Sequence, residues 1–328
     1  MPDLPHLLFR ATLAAARLGR PRCLSVLIYH RVLAERDWMR PGEPTAEEFT
    51  WQMRLLGRHF NVLPLADAVQ MMKDSRLPPR AACVTFDDGY ADNATVALPI
   101  LKRYGIPATV FVSAGYLDGG RMWNDTIVEA LRTHPDKHLD LGDIGLPGYT
   151  LGDNTARRHA AYDIIRRSKY QEMARRDEVA ARVAQASGLL PADLMMTTAQ
   201  LRTLHQQGIE IGGHTVSHPI LARLPVARAR EEIAQGKAAL EALIGAPLRL
   251  FAYPNGQPDM DYTDDHVALV KEAGFVAAVS TNWGVSDRRS DPFQLPRFTP
   301  WDKSAAKFLL RMALNSRHLQ RTPEREPC

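Results

Sequence analysis

The stretch VTFDDGYADN, from Val84 to Asn93, decides the fold class because a short apolar run ends on two adjacent carboxylates and a glycine. Asp87 and Asp88 follow a predicted buried strand, and neighbouring strand residues point to opposite faces. A D-D-G sequence after a strand is most often a turn. Two repelling charges at the end of a strand are also what a bound cation would stabilise, so the stretch raises the question of a metal site.

Strand-like and helix-like segments alternate on both sides of this stretch. The predicted strands are Leu24–His30, Ala81–Phe86, Ile106–Ala114, Ile209–Thr215, Ala246–Pro254 and Phe275–Thr281. The predicted helices are Thr45–Phe60, Ala91–Gly105, Thr198–Gly208, Val226–Gly245 and Asp264–Gly274, the first with a capping box formed by Thr45 and Glu48. This alternation predicts an α/β fold with a mostly parallel sheet, whose functional residues collect at the carboxyl ends of the strands.

The alternation lapses between Tyr116 and Thr197, where the chain has a helical pattern rich in arginine. We interpret residues 117–197 as a helical insertion in one domain covering 23–314, with a polar tail at 315–328. The charges of the insertion are of both signs, which favours an ion-paired, solvated surface. A basic face for an anionic lipid or sugar carrier is the alternative.

Residues 1–22 predict an amphipathic N-terminal helix. Leu4 and Leu7 recur at helical spacing, while Arg10 and Arg17 interrupt the apolar core that a signal peptide needs. A helix packed on the domain is the first interpretation, a helix on a membrane surface the second and a cleaved signal the third. Without a clear export signal or an apolar run of about 18 residues, we expect a cytoplasmic protein, with peripheral contact at the inner membrane face as the variant.

The composition is that of a globular protein, with 45% hydrophobic and 24% charged residues and a formal net charge of +4. No zinc-finger spacing or lysine-rich arm is present, so we expect no nucleic-acid partner. Cys23, Cys83 and Cys328 lie far apart and are odd in number, which excludes a disulfide framework and a cysteine metal site. The sequence does not indicate an oligomeric state.

Polar side chains that could bind a metal follow several predicted strands. His30 follows one strand, Asp87 and Asp88 follow the next, and His214 and His218 stand four residues apart after a third. Two histidines and one carboxylate can hold a catalytic zinc and leave positions open for water and substrate. A second carboxylate beside such an ion suits a general base. Each piece alone has an ordinary structural explanation, and the combination on successive strand ends is what favours a site.

The motifs TFDDGY and HTVSH together resemble the polysaccharide deacetylase family, the NodB-homology carbohydrate esterases of family four. The resemblance spans Leu24–Phe298 and implies an irregular (β/α) barrel of about seven parallel strands with a helical insertion. It implies that Asp87 is the catalytic base. It also implies that Asp88, His214 and His218 hold a divalent metal, with Zn²⁺ the first choice.

The sequence departs from the family pattern in two places. FAYPNG has Ala252 where the family has an arginine that orients the base, and Asn255 where it has a tyrosine. The family's late L-x-L-H motif is replaced by LIYH near the N-terminus, which makes His30 the candidate acid. This order resembles the circularly permuted branch that deacetylates poly-N-acetylglucosamine in biofilm export. Its late P-R element corresponds to SDPFQLPR, so Arg297 and Asp291 are the candidate base-orienting pair.

The resemblance implies a hydrolase that removes the N-acetyl group from an amino sugar of a polysaccharide, oligosaccharide or lipid-linked sugar, releasing acetate. The backbone N–H of Tyr90 is the candidate donor to the developing oxyanion. Trp123, Tyr253, Trp283 and Trp301 could stack on sugar rings or lie in the core. Two alternatives stay open: an amidase on a non-sugar amide, and a weakened carbohydrate-binding homologue, which the missing motif arginine allows.

Overall fold

The structure is a computed structural model that describes residues 22–315. The predicted N-terminal helix at 1–22 and the polar tail at 315–328 lie outside this range except for Arg22 and Asn315, and both stay predictions. No helix within the described range is long and apolar enough to cross a membrane.

Seven strands form one curled parallel sheet, which confirms the predicted fold class. In spatial order β1, β3, β4, β7, β8 and β9 lie side by side, and β2 also pairs with β3. A separate antiparallel pair, β5 and β6, lies in the insertion. The strands are β1 Leu24–Tyr29, β2 Asn61–Val62, β3 Ala81–Phe86, β4 Ala108–Val112, β5 His138–Leu139, β6 Tyr149–Thr150, β7 Glu210–Gly213, β8 Leu250–Ala252 and β9 Ala277–Val279.

An extended segment from Leu295 to Phe298 brings the two edges of the sheet together. Leu295 pairs with β9 at Val279, and Phe298 pairs with β1 at Leu27. The N–H of Phe298 donates to the carbonyl of Val26 at 3.1 Å. This segment bridges the first and last strands of the sheet, so a residue within it can reach the interior of the barrel.

Ten α-helices flank the sheet or form the insertion within residues 22–315. They are α1 Ala46–His59, α2 Leu65–Lys73, α3 Leu98–Tyr104, α4 Trp123–Thr133, α5 Asn154–Ser168, α6 Met173–Ala184, α7 Thr198–Gln206, α8 Val226–Ile244, α9 Asp264–Glu272 and α10 Ala305–Asn315. The capping box of Thr45 and Glu48 is present at the start of α1. A π-helical turn over Asn93–Ala97 precedes α3, so the helix predicted at Ala91–Gly105 is present with an irregular first half.

The structure adds elements that periodicity did not predict, namely α2, α10 and the short β2. It also shortens the strand predicted at Ala246–Pro254 to the three residues of β8. Pro247 lies in the omitted part, and a proline has no N–H to donate to a strand ladder.

The insertion contains a hydrophobic cluster of its own. Helices α4, α5 and α6 pack side chains such as Ile127, Leu131, Ile164 and Val179 against one another, all of them fully buried. The predicted helical insertion is therefore confirmed, and its bounds at 117–197 stay a prediction. Met39, from the loop after β1, joins the same cluster and connects it to the barrel.

Candidate active site

A cavity of about 290 Å³ opens at the carboxyl ends of the strands. The structure brings five of the predicted site residues into its lining: His30, Asp87, Asp88, His214 and His218. They come from the ends of β1, β3 and β7, which are neighbours or next neighbours in the sheet. Parallel strands align their carboxyl ends at one edge of the sheet, so residues distant in sequence meet there.

Asp88, His214 and His218 form a compact group at the floor of this cavity. One ligand atom from each lies within 4.8 Å of the others. The Nε2 atoms of both histidines lie 3.4 Å from Oδ1 of Asp88. Asp88 has φ 77° and His218 has φ 52°, so both backbones are left-handed where the chain turns back toward the cavity. Such backbone strain in non-glycine residues is concentrated at functional sites.

Three observations show that this group fits a metal ion. Ligand atoms bonded to zinc at about 2.0–2.1 Å in a tetrahedral site are roughly 3.3 Å apart, close to the 3.4 Å between each histidine Nε2 and Oδ1 of Asp88. Oδ1 of Asp88 is buried and has no hydrogen-bond partner among the described residues. Nδ1 of His214 lies 2.7 Å from the carbonyl oxygen of Ala252, which can only accept, so Nε2 keeps its lone pair for a metal.

The ionisation states of two of these residues are also those that a metal requires. Burial lowers the pKa of His218 to about 4, which keeps its imidazole neutral. Burial raises the pKa of Asp88, but the two histidines and His30 outweigh burial and hold it below its ordinary value. A neutral imidazole and an ionised carboxylate are the forms that coordinate a cation.

Asp87, which lines the same cavity, is held by Arg297. The two Nη atoms of Arg297 donate to the two carboxylate oxygens of Asp87 at 2.7 and 2.6 Å. Nε of Arg297 donates to the carbonyl of Ser280 at 2.9 Å, and Nη1 also reaches Oγ1 of Thr85 at 3.2 Å. Burial raises the pKa of Asp87, but the Arg297 guanidinium outweighs burial and holds the pKa below its ordinary value.

The pairing of Arg297 with Asp291 is wrong. Oδ1 of Asp291 accepts from the N–H of Phe293 at 2.9 Å, and Oδ2 accepts from the side chain of Gln294 at 3.2 Å. The carboxylate therefore closes a turn in its own segment. Among the described residues, Arg297 donates to the base candidate, and Ala252 occupies the position where the family has its arginine.

The sequence matches the family model described as "Polysaccharide deacetylase" over residues 74–278, more than half of the chain. The chain belongs to the polysaccharide deacetylase family. Members of this family act on N-acetyl amide bonds, so the chain is an enzyme that deacetylates a carbohydrate.

Three individual comparisons agree with this assignment. The Streptococcus pyogenes deacetylase PplD in complex with acetate superposes with a TM-score of 0.59 at 19% identity, covering 90% of this chain and 99% of that one. IcaB from Ammonifex degensii gives 0.59 at 20% identity, covering 90% and 98%. The Bacillus subtilis (strain 168) protein YxkH is 20% identical over 288 residues, which are 87% of this chain and 74% of YxkH. At these identities the likeness of the two solved structures shows a shared fold.

His30 of the deacetylase lies at the end of β1 and lines the same cavity. Burial lowers the pKa of His30, but the carboxylates of Asp88, Asp87 and Glu43 outweigh burial and place it above the ordinary value. Glu43, from the loop before α1, also lines the cavity, and burial raises its pKa. No sequence motif marks Glu43, because its position depends on the path of a long loop.

The insertion forms one wall of the cavity of the deacetylase. Asn124 and Asp125 of α4 and Tyr162 and Ile165 of α5 line it. Arg40, in the loop after β1, fixes α4 by donating to Asp125 at 2.7 Å. The sequence could not reveal these wall residues, because they are set by how the insertion packs on the barrel.

The charges on the insertion of the deacetylase favour the ion-paired interpretation over a basic face. Asp163 accepts from both Arg166 and Arg167 on α5. Arg175 bonds Glu178, and Arg182 bonds Asp143. These arginines therefore neutralise nearby carboxylates.

Of the four aromatic candidates of the deacetylase, one is a core residue and a second is partly buried. Tyr253 is fully buried and stacks on Tyr262 with ring centroids 3.8 Å apart. Trp123 packs against the insertion cluster, with the guanidinium of Arg176 5.3 Å from its ring centroid. Trp283 and Trp301 keep 41% and 64% of their surface exposed.

Proposed function

We propose that this deacetylase is a metal-dependent hydrolase that removes the N-acetyl group from an amino sugar and releases acetate. The substrate class is an N-acetylated polysaccharide, oligosaccharide or lipid-linked sugar. The observation that carries the proposal is the unpaired, buried Oδ1 of Asp88 between two histidine nitrogens, with a second carboxylate, Asp87, held beside it.

Asp88, His214 and His218 would hold the ion, and Zn²⁺ is the ion that we propose. Two imidazoles and one carboxylate are a donor set of catalytic zinc sites, which leave positions open for water and substrate. When bound, Zn²⁺ lowers the pKa of a water molecule and polarises a carbonyl oxygen.

Asp87 is the proposed general base. The bidentate contact with Arg297 fixes the carboxylate plane and favours the ionised form, which can accept a proton at neutral pH. Each carboxylate oxygen has a second lone pair, so Asp87 can still accept a hydrogen bond from the attacking water.

His30 is the proposed general acid, which gives its proton to the leaving amine of the sugar. The surrounding carboxylates raise its pKa, so the imidazolium form that can donate is favoured. The N–H of Tyr90, directly after the D-D-G turn, is the proposed donor to the negative charge that develops on the carbonyl oxygen.

The decisive experiment measures acetate release and bound metal on the same purified sample. The substrates are an N-acetylated polymer, an oligomer, a lipid-linked N-acetyl sugar and a non-sugar acetamide. We expect acetate from at least one sugar, loss of activity with a chelator and recovery with Zn²⁺. Turnover of the acetamide alone would contradict a carbohydrate substrate, and full activity without bound metal would contradict metal dependence.

The compartment and any membrane contact remain predictions from the N-terminal sequence. We propose a cytoplasmic enzyme, with peripheral contact at the inner membrane face as the variant. Cell fractionation with antibody detection tests this, and recovery in the periplasmic fraction would contradict it.

A further inference from the structure

Between His214 and His218 the chain forms a tight turn against helix α8, and one carboxylate of that helix binds it. We call residues 214–218 the histidine turn. Oε2 of Glu232 accepts from the backbone N–H groups of Val216 and Ser217, both at 2.9 Å. Oε1 accepts from the hydroxyl of Ser217 at 2.7 Å. Glu232 is 9% exposed, so these bonds are largely shielded from water. The chemistry described above gives Glu232 no role.

The backbone of the histidine turn is strained on both sides of these bonds. Thr215 has φ 67° and His218 has φ 52°, in the left-handed region that residues other than glycine rarely adopt. Such conformations persist only where the surrounding structure over-determines them. Two successive N–H groups that converge on one oxygen form an anion-binding nest, and here the anion is the side chain of Glu232. The carboxylate therefore binds the turn between its two strained residues.

The carbonyl groups of the histidine turn are bound from another side, by the segment that follows β4. The carbonyl of Thr215 accepts from the N–H of Ala114 at 3.1 Å. The carbonyl of Val216 accepts from the N–H of Gly115 at 2.9 Å. These contacts join backbone to backbone, whereas the N–H groups of the turn donate to the side chain of Glu232. A substitution of Glu232 can therefore remove the N–H contacts and leave the carbonyl contacts in place.

Gly236 lets helix α8 approach the histidine turn closely. A Cβ atom on Gly236 would lie 2.8 Å from the carbonyl carbon and oxygen of Thr215, closer than such atoms pack. Gly236 follows Glu232 by four residues, so both residues lie on the same face of α8. Glycine in a helix interior is destabilising relative to alanine. Here it keeps the Glu232 carboxylate within hydrogen-bonding distance of the turn.

We propose that Glu232 is a positioning residue, which holds the histidine turn in the conformation that binds the metal ion. It acts through the backbone and the hydroxyl of the turn, with charge-assisted hydrogen bonds, which are stronger than neutral ones. Groups that orient metal ligands in this way contribute to metal affinity. This inference rests on the proposed function, since it assumes that His214 and His218 hold a metal ion.

The test measures the affinity of the metal-free protein for Zn²⁺ by competition with a coloured chelator. In Glu232→Ala we expect the Kd for Zn²⁺ to rise about 10–100-fold. Glu232→Gln keeps an oxygen that can accept from both N–H groups, so its affinity should stay nearer to that of the parent. Glu241→Ala is the matched control, because Glu241 lies on the same helix and accepts from the N–H of Leu248 at 2.9 Å. It should bind Zn²⁺ like the parent.

Two further measurements distinguish positioning from a loss of folding. The visible spectrum of Co²⁺ bound in place of Zn²⁺ depends on ligand geometry, and it should change in Glu232→Ala but not in Glu241→Ala. Ser217→Ala loses the hydroxyl bond and keeps both N–H bonds, so its Kd should rise by a smaller factor. Ser217→Ala replaces Glu232→Ala if thermal unfolding shows that the latter does not fold, and an unchanged Kd would then overturn the proposal.

The outcomes separate this inference from the proposed function. A parent protein that binds no Zn²⁺ would overturn both. A parent that binds Zn²⁺, with equal affinity in Glu232→Ala, would overturn the positioning role and leave the proposed function standing. An equal loss in Glu232→Gln and Glu232→Ala would assign the effect to charge alone and would also overturn positioning by hydrogen bonds. Weaker binding in Glu232→Ala, with recovery in Glu232→Gln, supports the proposal.

Discussion

Two regions of the molecule bury an arginine against carboxylates. They differ in whether the neighbouring carboxylate oxygens have hydrogen-bond partners. Behind the cavity lining, Arg297 is 1% exposed and gives both Nη atoms to a single carboxylate, Asp87. At the interface between the barrel and the insertion, Arg40 is 8% exposed and divides its Nη atoms between Asp125 and Glu129 on α4.

The two regions differ in the hydrogen bonds of the carboxylate oxygens that the arginine does not bind. At the interface, the second oxygen of Asp125 accepts from the hydroxyl of Tyr90 at 2.8 Å, and Arg132 bonds Glu129 at 2.8 Å. On the floor, Oδ1 of Asp88 has no hydrogen-bond partner within the described range. A saturated cluster holds two elements together, whereas an unsaturated one has the capacity to bind a cation. Arg40, which also lines the cavity, therefore holds the insertion to the barrel, and Asp88 keeps the free oxygen that we propose binds the ion.

Replacing His214 with alanine should have the largest effect. The ion loses one of its proposed ligands, so we expect little bound metal and a fall in turnover of more than about 10³-fold, because the activated water is lost. His138→Ala, an exposed histidine of the insertion, is the matched control. Metal analysis and acetate release on the same sample check both proteins. Normal metal content in His214→Ala would show that His214 is not a metal ligand.

Asp87→Asn separates the two carboxylates of the motif. We expect turnover to fall by about 10²–10⁴-fold, since the general base is lost, while bound metal stays near the parent level. Asp291→Asn makes the same change at the acid that closes a turn, and it should keep most of its activity. A fully active Asp87→Asn enzyme would refute the proposed mechanism.

Arg297→Met removes the guanidinium that favours ionised Asp87. An unpaired buried carboxylate costs about 3–5 kcal/mol of unfolding free energy, which chemical denaturation measures. The pKa of Asp87, held low by Arg297, should rise. The base acts in its ionised form, so activity should be lost at a higher pH as the solution is acidified. An acid limb of the pH–rate profile that does not move would show that Arg297 is only structural.

Arg40→Met should leave the chemistry nearly intact and weaken the interface. We expect a loss of about 3–5 kcal/mol of unfolding free energy, because Asp125 and Glu129 remain buried without their arginine. Bound metal should not change. Arg36→Met, whose side chain is half exposed and pairs with Glu48, should cost less than about 1 kcal/mol. Equal losses in the two variants would remove the distinction between a buried cluster and a surface pair.

The sequence allowed the floor of the site to be predicted because local and topological constraints suffice there. Asp87 and Asp88 are adjacent in the D-D-G turn, and His214 and His218 are four residues apart, so the members of each pair are close in the chain. The parallel sheet then places His30 at the same edge. These positions need no knowledge of loop paths.

The wall of the cavity could not be predicted in the same way. Glu43, Asn124 and Tyr162 reach it through a long loop and two helices of the insertion. The erroneous choice of Asp291 has a related cause. Its nearness to Arg297 in sequence suggested a pair, but the carboxylate of Asp291 accepts from the N–H of Phe293 instead.

The contact between Arg297 and Asp87 joins residues 210 positions apart, and His30 enters the site from near the opposite end of the described chain. During synthesis, both proposed metal-ligand motifs therefore leave the ribosome well before Arg297, which binds the proposed base. A nascent chain can gather its metal ligands early and still be unable to catalyse the reaction. With the proposed roles, we therefore expect activity only after the bridging segment has closed the barrel.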